Sequence, residues 1–277
     1  MPLNSMYKAI TFFNLRFAST AIFLGALITL AVPAAGHAQG KPEQRWFTYQ
    51  GKDPIKLEVT TYEPKAWNGK VVVLNHGSTG DNPQAVKTTV KFVRISKALT
   101  DSGYKVFALM RKGRGASEGE FTEESSRGCS YGERMREVAE AEPQLDQFVD
   151  SLRSEHKVDK VYMMGHSRGG FLTSYYSARN PAKVAYAVNI SGAWASNCEA
   201  KSGQSWTTFK DSSRKFKNQM WVYATEDRFF TNSKIDEYED LAKREGVTFV
   251  KLVTGSGDGH AWAAANPDLW ITEFLTK

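Results

Sequence analysis

The chain has 277 residues, 41% of them hydrophobic and 12% aromatic, with 36 basic against 30 acidic side chains for a net charge of +6. That content suits one sizeable globular domain with a full core. The basic residues are scattered apart from the short Arg111, Lys112, Arg114 cluster, and no basic stripe interleaved with aromatics occurs, so nucleic acid is not an expected partner.

The N-terminus reads as a leader. Lys8 and Arg16 supply positive charge, residues 17–32 (FASTAIFLGALITLAV) are uncharged and apolar or small, and PAAGHA follows. A bilayer span takes about 20 apolar residues, and Pro33 closes this run before that length. Residues 1–38 are therefore expected to be a secretory signal cut after Ala38, and residues 39–277 a single exported domain, periplasmic or secreted, with no stable membrane span. No cysteine near the cut offers a lipid acceptor. In an oxidising compartment the two cysteines, Cys129 and Cys198, are expected to form a disulfide. No Cys-x-x-Cys or His-Glu-x-x-His spacing points to a metal, and no cofactor is implied.

Along the mature chain, strands alternate with helices. Residues 55–64 (IKLEVTTYEP) alternate with period two and predict an antiparallel strand. Residues 70–76 (KVVVLNH) form a continuous apolar run, the pattern of a strand buried on both faces. A helix is expected over 86–102, a buried strand over 104–110, then a polar loop, RKGRGASEGEFTEESSRGCS. A long polar helix over 131–155, bent near Pro143, precedes a strand over 159–166 and a helix over 169–180 stopped by Pro181. Strands over 183–191 and 219–225, a helix over 231–246, a strand over 247–254 and a final helix over 261–277 complete the pattern. The fold class is α/β: a mostly parallel sheet covered by helices on both faces.

The stretch VYMMGHSRGGFL places Gly165, His166, Ser167, Arg168 and Gly169 between a predicted strand and a predicted helix. That setting makes Ser167 a candidate nucleophile on a tight strand-to-helix turn, with the free amides of the helix facing developing negative charge. A helix N-cap is the competing role for this serine. Of the five histidines, only His260 follows Ser167, in the glycine-rich stretch TGSGDGHAW after the last predicted strand. It is the candidate general base, taking the Ser167 proton and returning it to the leaving group. His156 sits in SEHK at a charged helix end and is expected to be solvated. The acid should hold the imidazole in one tautomer. WVYATEDRFF offers Asp227 first and Glu226 as the alternative, while Asp258 is expected to shape its own loop through a backbone hydrogen bond. The oxyanion hole needs two amides: that of Arg168, and one from NHGSTG, with Ser78 first and Thr79 next. Gly77 and Thr79 are expected to approach the substrate. In the insertion over 192–218, Trp194 and Trp206 either line an acyl or aryl pocket or pack conventionally. No long apolar lid is evident, which counts against action at an oil interface.

With VVVLNHGSTG, RKGRGASEG, GHSRGG, TEDRFF and GDGHAW in this order, the sequence resembles the α/β-hydrolase superfamily, in its dienelactone-hydrolase-like and prolyl-oligopeptidase-like branch. Dienelactone hydrolases proper carry a cysteine nucleophile, where this chain has Ser167, and no length is left for the propeller of prolyl oligopeptidases. The resemblance implies a serine hydrolase of small, accessible substrates. The expected activity is that of a carboxylesterase on small or aromatic esters, with an amidase or peptidase on the same residues, or a non-catalytic binding protein, as alternatives.

Overall fold

The computed structural model describes residues 41–79, 82–123, 129–194, 204–211, 215–254 and 258–277. The chain divides into two units, Met1–Gly36 and His37–Lys277, and every described residue belongs to the second. The expected leader, 1–38, thus lies outside the described residues.

Eight strands form one sheet: β1 Glu43–Tyr49, β2 Ile55–Tyr62, β3 Val71–Asn75, β4 Lys105–Leu109, β5 Val161–His166, β6 Val184–Ile190, β7 Gln219–Ala224 and β8 Thr248–Leu252. The described helices are α1 Pro83–Val86, α2 Val93–Asp101, α3 Tyr131–His156, α4 Arg168–Arg179, α5 Gln204–Phe209, α6 Asn232–Glu245, α7 Gly259–Ala265 and α8 Ile271–Leu275. The strand order is β1-β2-β4-β3-β5-β6-β7-β8. β2 pairs antiparallel with both β1 and β4, and every pair from β4 to β8 is parallel.

The apolar run of β3 has all five residues buried, because helices cover both faces of the sheet. Val71 and Val73 face a core layer with α3, α4 and α6, whereas Val72 and Leu74 face one with α2, α7 and α8. β3 has β4 on one side and β5 on the other. The connections leaving β3 and β5 therefore diverge and open a crevice beyond the carboxyl ends of these strands, the usual place for a site in such sheets.

Local chemistry accounts for the helix ends. Ser130 and Glu133 form a capping box at α3. Thr231 caps α6, and Gly246 ends it in the left-handed region. α3 is one helix that includes Pro143.

Three expectations need correction. The helix expected over 86–102 is two helices, α1 and α2, with Phe92 left-handed between them at φ 48°. The β-branched run Thr88, Thr89, Val90 disfavours helix, and the Thr89 hydroxyl is drawn away to Glu58 at 2.9 Å. The final helix is broken at Pro267, which opens a 3-10 turn between α7 and α8. β1, which was not anticipated, is an edge strand with an exposed Trp46 and little buried surface.

Candidate active site

Ser167 occupies the turn between β5 and α4 with φ 54° and ψ −122°. A non-glycine residue in such a region costs about 1–3 kcal/mol and persists only where its surroundings over-determine it. Here they do. The Ser167 N–H donates to Ile190 O at 2.9 Å, and its carbonyl accepts from Phe171 N at 3.0 Å and Ala193 N at 3.1 Å. The flanking glycines are required by close packing. A Cβ on Gly165 would lie 2.1 Å from Gly169 O, and one on Gly169 would lie 2.0 Å from Asn75 O. The side chain of Ser167 makes no capping hydrogen bond to α4, so the N-cap role does not account for it.

Asp227 follows β7, and His260 lies in the first turn of α7. Asp227 Oδ2 accepts from His260 Nδ1–H at 2.8 Å, and Asp227 Oδ1 accepts from Phe229 N at 2.8 Å. Both side chains are buried. With Nδ1 carrying the proton, Nε2 presents its lone pair, and that atom is buried without a hydrogen-bond partner. Such an atom is free to accept a proton. Glu226 is exposed at φ 59°, and its carboxylate meets the Thr254 hydroxyl at 3.3 Å rather than His260. Asp258 caps α7 by accepting from His260 N at 3.1 Å, the backbone role expected for it.

The His260 loop is also tied to the serine turn. His166 Nε2–H donates to His260 O at 2.9 Å. Burial, reinforced by the neighbouring His260, pushes the His166 pKa down to about 4, so this ring is neutral near pH 7. Phe229 stands edge-on to the His260 ring at 4.6 Å.

On the other flank, the loop after β3 carries Gly77, Ser78 and Thr79. Gly77 backbone lies against Ser167: a Cβ there would come 3.0 Å from Ser167 Cβ. Ser78 is exposed. Thr79 Oγ1 accepts from Arg114 Nη1 at 2.7 Å, which braces the loop. His76 is fully buried, accepts from Arg111 N–H through Nε2 at 3.1 Å and donates through Nδ1 to Gly77 O at 2.6 Å. Burial, then the Arg111 charge, hold its pKa well below the ordinary imidazole value. The Arg168 backbone opens α4 beside Ser167, while its side chain turns inward to Glu123.

Trp194 does not line an open pocket. It is fully buried, donates from Nε1 to Glu137 Oε2 at 3.0 Å and lies beneath the guanidinium of Arg168 at 5.3 Å. Trp206 packs on Tyr238 at 5.6 Å. Cys129 packs at the edge of the core, and Cys198 lies outside the described residues. His156 is a further correction. Its side chain is only 9% exposed, edge-on to Trp67 and tilted against Phe107, which draw it in from solvent.

Sequence reasoning missed the buried group Arg111, Glu123, His76 and the Arg168 side chain. The one signal was Arg111 directly after a buried strand, and nothing local pointed to Glu123 as its partner. A cavity of about 530 Å³ opens between α3 and α4, lined by Pro143 and Tyr176 among others, at the end of α4 opposite Ser167. Among the described residues, no group of His, Cys, Asp and Glu is placed to hold a metal ion. No described helix is long and apolar enough to cross a membrane.

Comparison with known proteins agrees with this architecture. An esterase from Pyrococcus furiosus superimposes with a TM-score of 0.59 at 15% identity, over 85% of this chain and 91% of that one. Est1E from Butyrivibrio proteoclasticus, solved with ferulic acid, gives 0.58 at 16% identity over 84% and 100%. A serine hydrolase without lid from Xanthomonas campestris gives 0.55 at 16% identity over 87% and 99%. The rat and mouse 1-acylglycerol-3-phosphate O-acyltransferase ABHD5 are 33% identical over 66 residues, 23% of this chain. The chain thus spans about a fifth (19%) of the length of these curated relatives. Residues 68–275 match the family described as serine aminopeptidase, S33. The chain therefore belongs to that family and has the α/β-hydrolase fold.

Proposed function

We propose that the protein is an exported carboxylesterase that acts on small or aromatic esters through an acyl-enzyme on Ser167. One observation carries the reading: His260 has Nδ1 on Asp227 and an unpartnered Nε2, and its backbone is tied to His166, the residue before a serine on a strained turn. In this reading, Nε2 takes the Ser167 proton as Oγ attacks the ester carbonyl. The backbone N–H groups of Arg168 and Ser78 receive the oxyanion, and Asp227 stabilises the imidazolium. The alcohol leaves with the proton from His260, and water then releases the acid by the same steps in reverse roles. Gly77 lets the substrate approach, and the partly buried Phe229 offers an aromatic surface beside the base. The names of the Pyrococcus and Butyrivibrio proteins, an esterase and a ferulic acid complex, favour esters and aromatic acids.

The family description favours an aminopeptidase as a second reading. Such an enzyme needs a carboxylate for the free α-ammonium of its substrate. Among the described residues, the buried carboxylates near the site are engaged: Glu123 by arginines and Asp227 by His260. Turnover of p-nitrophenyl acetate and of a hydroxycinnamate ester, set against an aminoacyl-anilide, separates the readings. Faster anilide cleavage would overturn the esterase reading. Stoichiometric labelling by a fluorophosphonate, mapped to Ser167, separates either from a binding protein.

Export and the disulfide belong to the same proposal. The leader pattern supports export, and cell fractionation with N-terminal sequencing at residue 39 tests it. No described cysteine is a free thiol, which supports a Cys129–Cys198 bridge. Two titratable thiols in the denatured, unreduced protein would rule the bridge out.

A further inference from the structure

The oxyanion hole of the proposed esterase draws its two amides from separate parts of the chain, the loop after β3 and the first turn of α4. One buried carboxylate touches the supports of both. Arg111 grips Glu123 in a two-pronged pair, through Nε to Oε1 and through Nη2 to Oε2 at 3.0 Å. The same guanidinium donates from Nη1 to His76 O at 2.7 Å, one residue before Gly77. From the other side, Arg168 Nη1 reaches Glu123 O at 2.9 Å and Oε2 at 3.2 Å. Arg111, Glu123, Arg168 and His76 are 2%, 5%, 4% and 0% exposed. Beneath them the Trp194 ring, held through Glu137, forms a rigid floor under both guanidiniums.

A buried ion cluster is a poor device for stability alone, since well-packed apolar residues often serve as well. It does fix geometry, because a planar guanidinium paired to a carboxylate through two bonds has little freedom. An oxyanion donor is effective only within hydrogen-bond reach of where the charge develops. We propose that Glu123 is a positioning residue for the oxyanion hole, tying the Gly77–Ser78 segment through Arg111 and the Arg168 amide through its own side chain. The proposal rests on the esterase reading only for the identity of the substrate, because the hole itself can be probed without one.

The test compares wild type with Glu123→Gln, using p-nitrophenyl acetate as substrate and phenylboronic acid as a tetrahedral adduct former. A loosened hole weakens transition-state binding and spares ground-state binding. Glu123→Gln should lower kcat by about 10- to 100-fold with KM changed less than about threefold, and phenylboronic acid affinity should fall in parallel. Glu123→Gln also leaves two guanidiniums short of a counter-charge. The double variant Glu123→Gln/Arg168→Gln is therefore measured beside it, relieving that repulsion while still lacking the tether. It should fold and keep the kcat loss. A folded variant with wild-type kcat and boronate affinity would overturn the proposal. Failure of both variants to fold would do the same, assigning Glu123 to the fold alone. If wild type binds phenylboronic acid but hydrolyses no ester, the esterase reading fails, and the boronate affinities still decide the role of Glu123.

Discussion

The two flanks of the site are built on different principles. On the flank of the β3 loop and α4, backbone hydrogen bonds are backed by buried charges and a saturated imidazole. Glu123 lies between Arg111 and Arg168, and both nitrogens of His76 are engaged. On the flank of Asp227 and His260, the supports are single hydrogen bonds and an aromatic edge, with an ion pair, Arg228–Asp258, left near the surface. In the proposed mechanism the first flank holds backbone amides still. The second keeps one nitrogen unpaired so that a proton can come and go. A clamp of buried charge suits the first task and would defeat the second, because a fixed cation beside Nε2 would oppose its protonation.

That contrast can be broken experimentally, starting with the reacting groups. Ser167→Ala should lower ester turnover at least about ten-thousandfold while leaving a cooperative unfolding transition. Turnover above a trace, measured on protein of wild-type circular dichroism, would remove Ser167 from the chemistry. Asp227→Asn should cost about ten-thousandfold in kcat through the wrong imidazole tautomer. Glu226→Gln and Asp258→Asn should each stay within about tenfold, and the reverse order would move the acid elsewhere.

The clamped flank should dominate stability. Glu123→Gln breaks a buried pair and should destabilise by about 3–5 kcal/mol, read from urea unfolding. A loss below about 1 kcal/mol would show that the cluster is no clamp. Acid should reveal the same flank together with His166. The folded pKa of His166, about 4, lies below its ordinary 6.5, so the unfolded chain takes up this proton first. The stability it contributes, about 3 kcal/mol, is full above pH 6.5 and is lost as pH falls to about 4. Arg111 and Arg168 hold Glu123 below its ordinary 4.5, against the opposing effect of burial, so its contribution is lost only below that pH. His166→Gln should flatten the loss between pH 6.5 and 4 and leave the lower limb in place, and an unchanged profile would contradict the assignment. The smallest effect belongs to the open flank. Arg228→Ala removes a largely exposed pair and should shift stability by less than about 1 kcal/mol.

Much of this molecule was determined locally and could be read from the chain. The unbroken apolar run of β3 demands a strand covered on both faces, and Gly-His-Ser-Arg-Gly between an apolar strand and a helix points to a tight turn. Asp258 caps α7 through a contact two residues away, so its role was legible for the same reason. Counting histidines along the sequence leaves His260 as the one that follows Ser167, and the 2.8 Å contact of Asp227 rather than Glu226 came with the fold. The rest was decided by topology. Glu123 meets arginines 12 and 45 residues away only because β4 and β5 flank β3, and no local pattern distinguishes it from the other acids of its polar loop. Trp194 reads from sequence equally as a pocket aromatic or a packed one, and burial in the fold decides for packing. Thr89, just past the end of α1, meets Glu58 of β2 through a contact 31 residues apart in the chain. Short-range sterics and capping act on neighbours in sequence, whereas the burial of a charge or a ring depends on which distant elements arrive beside it.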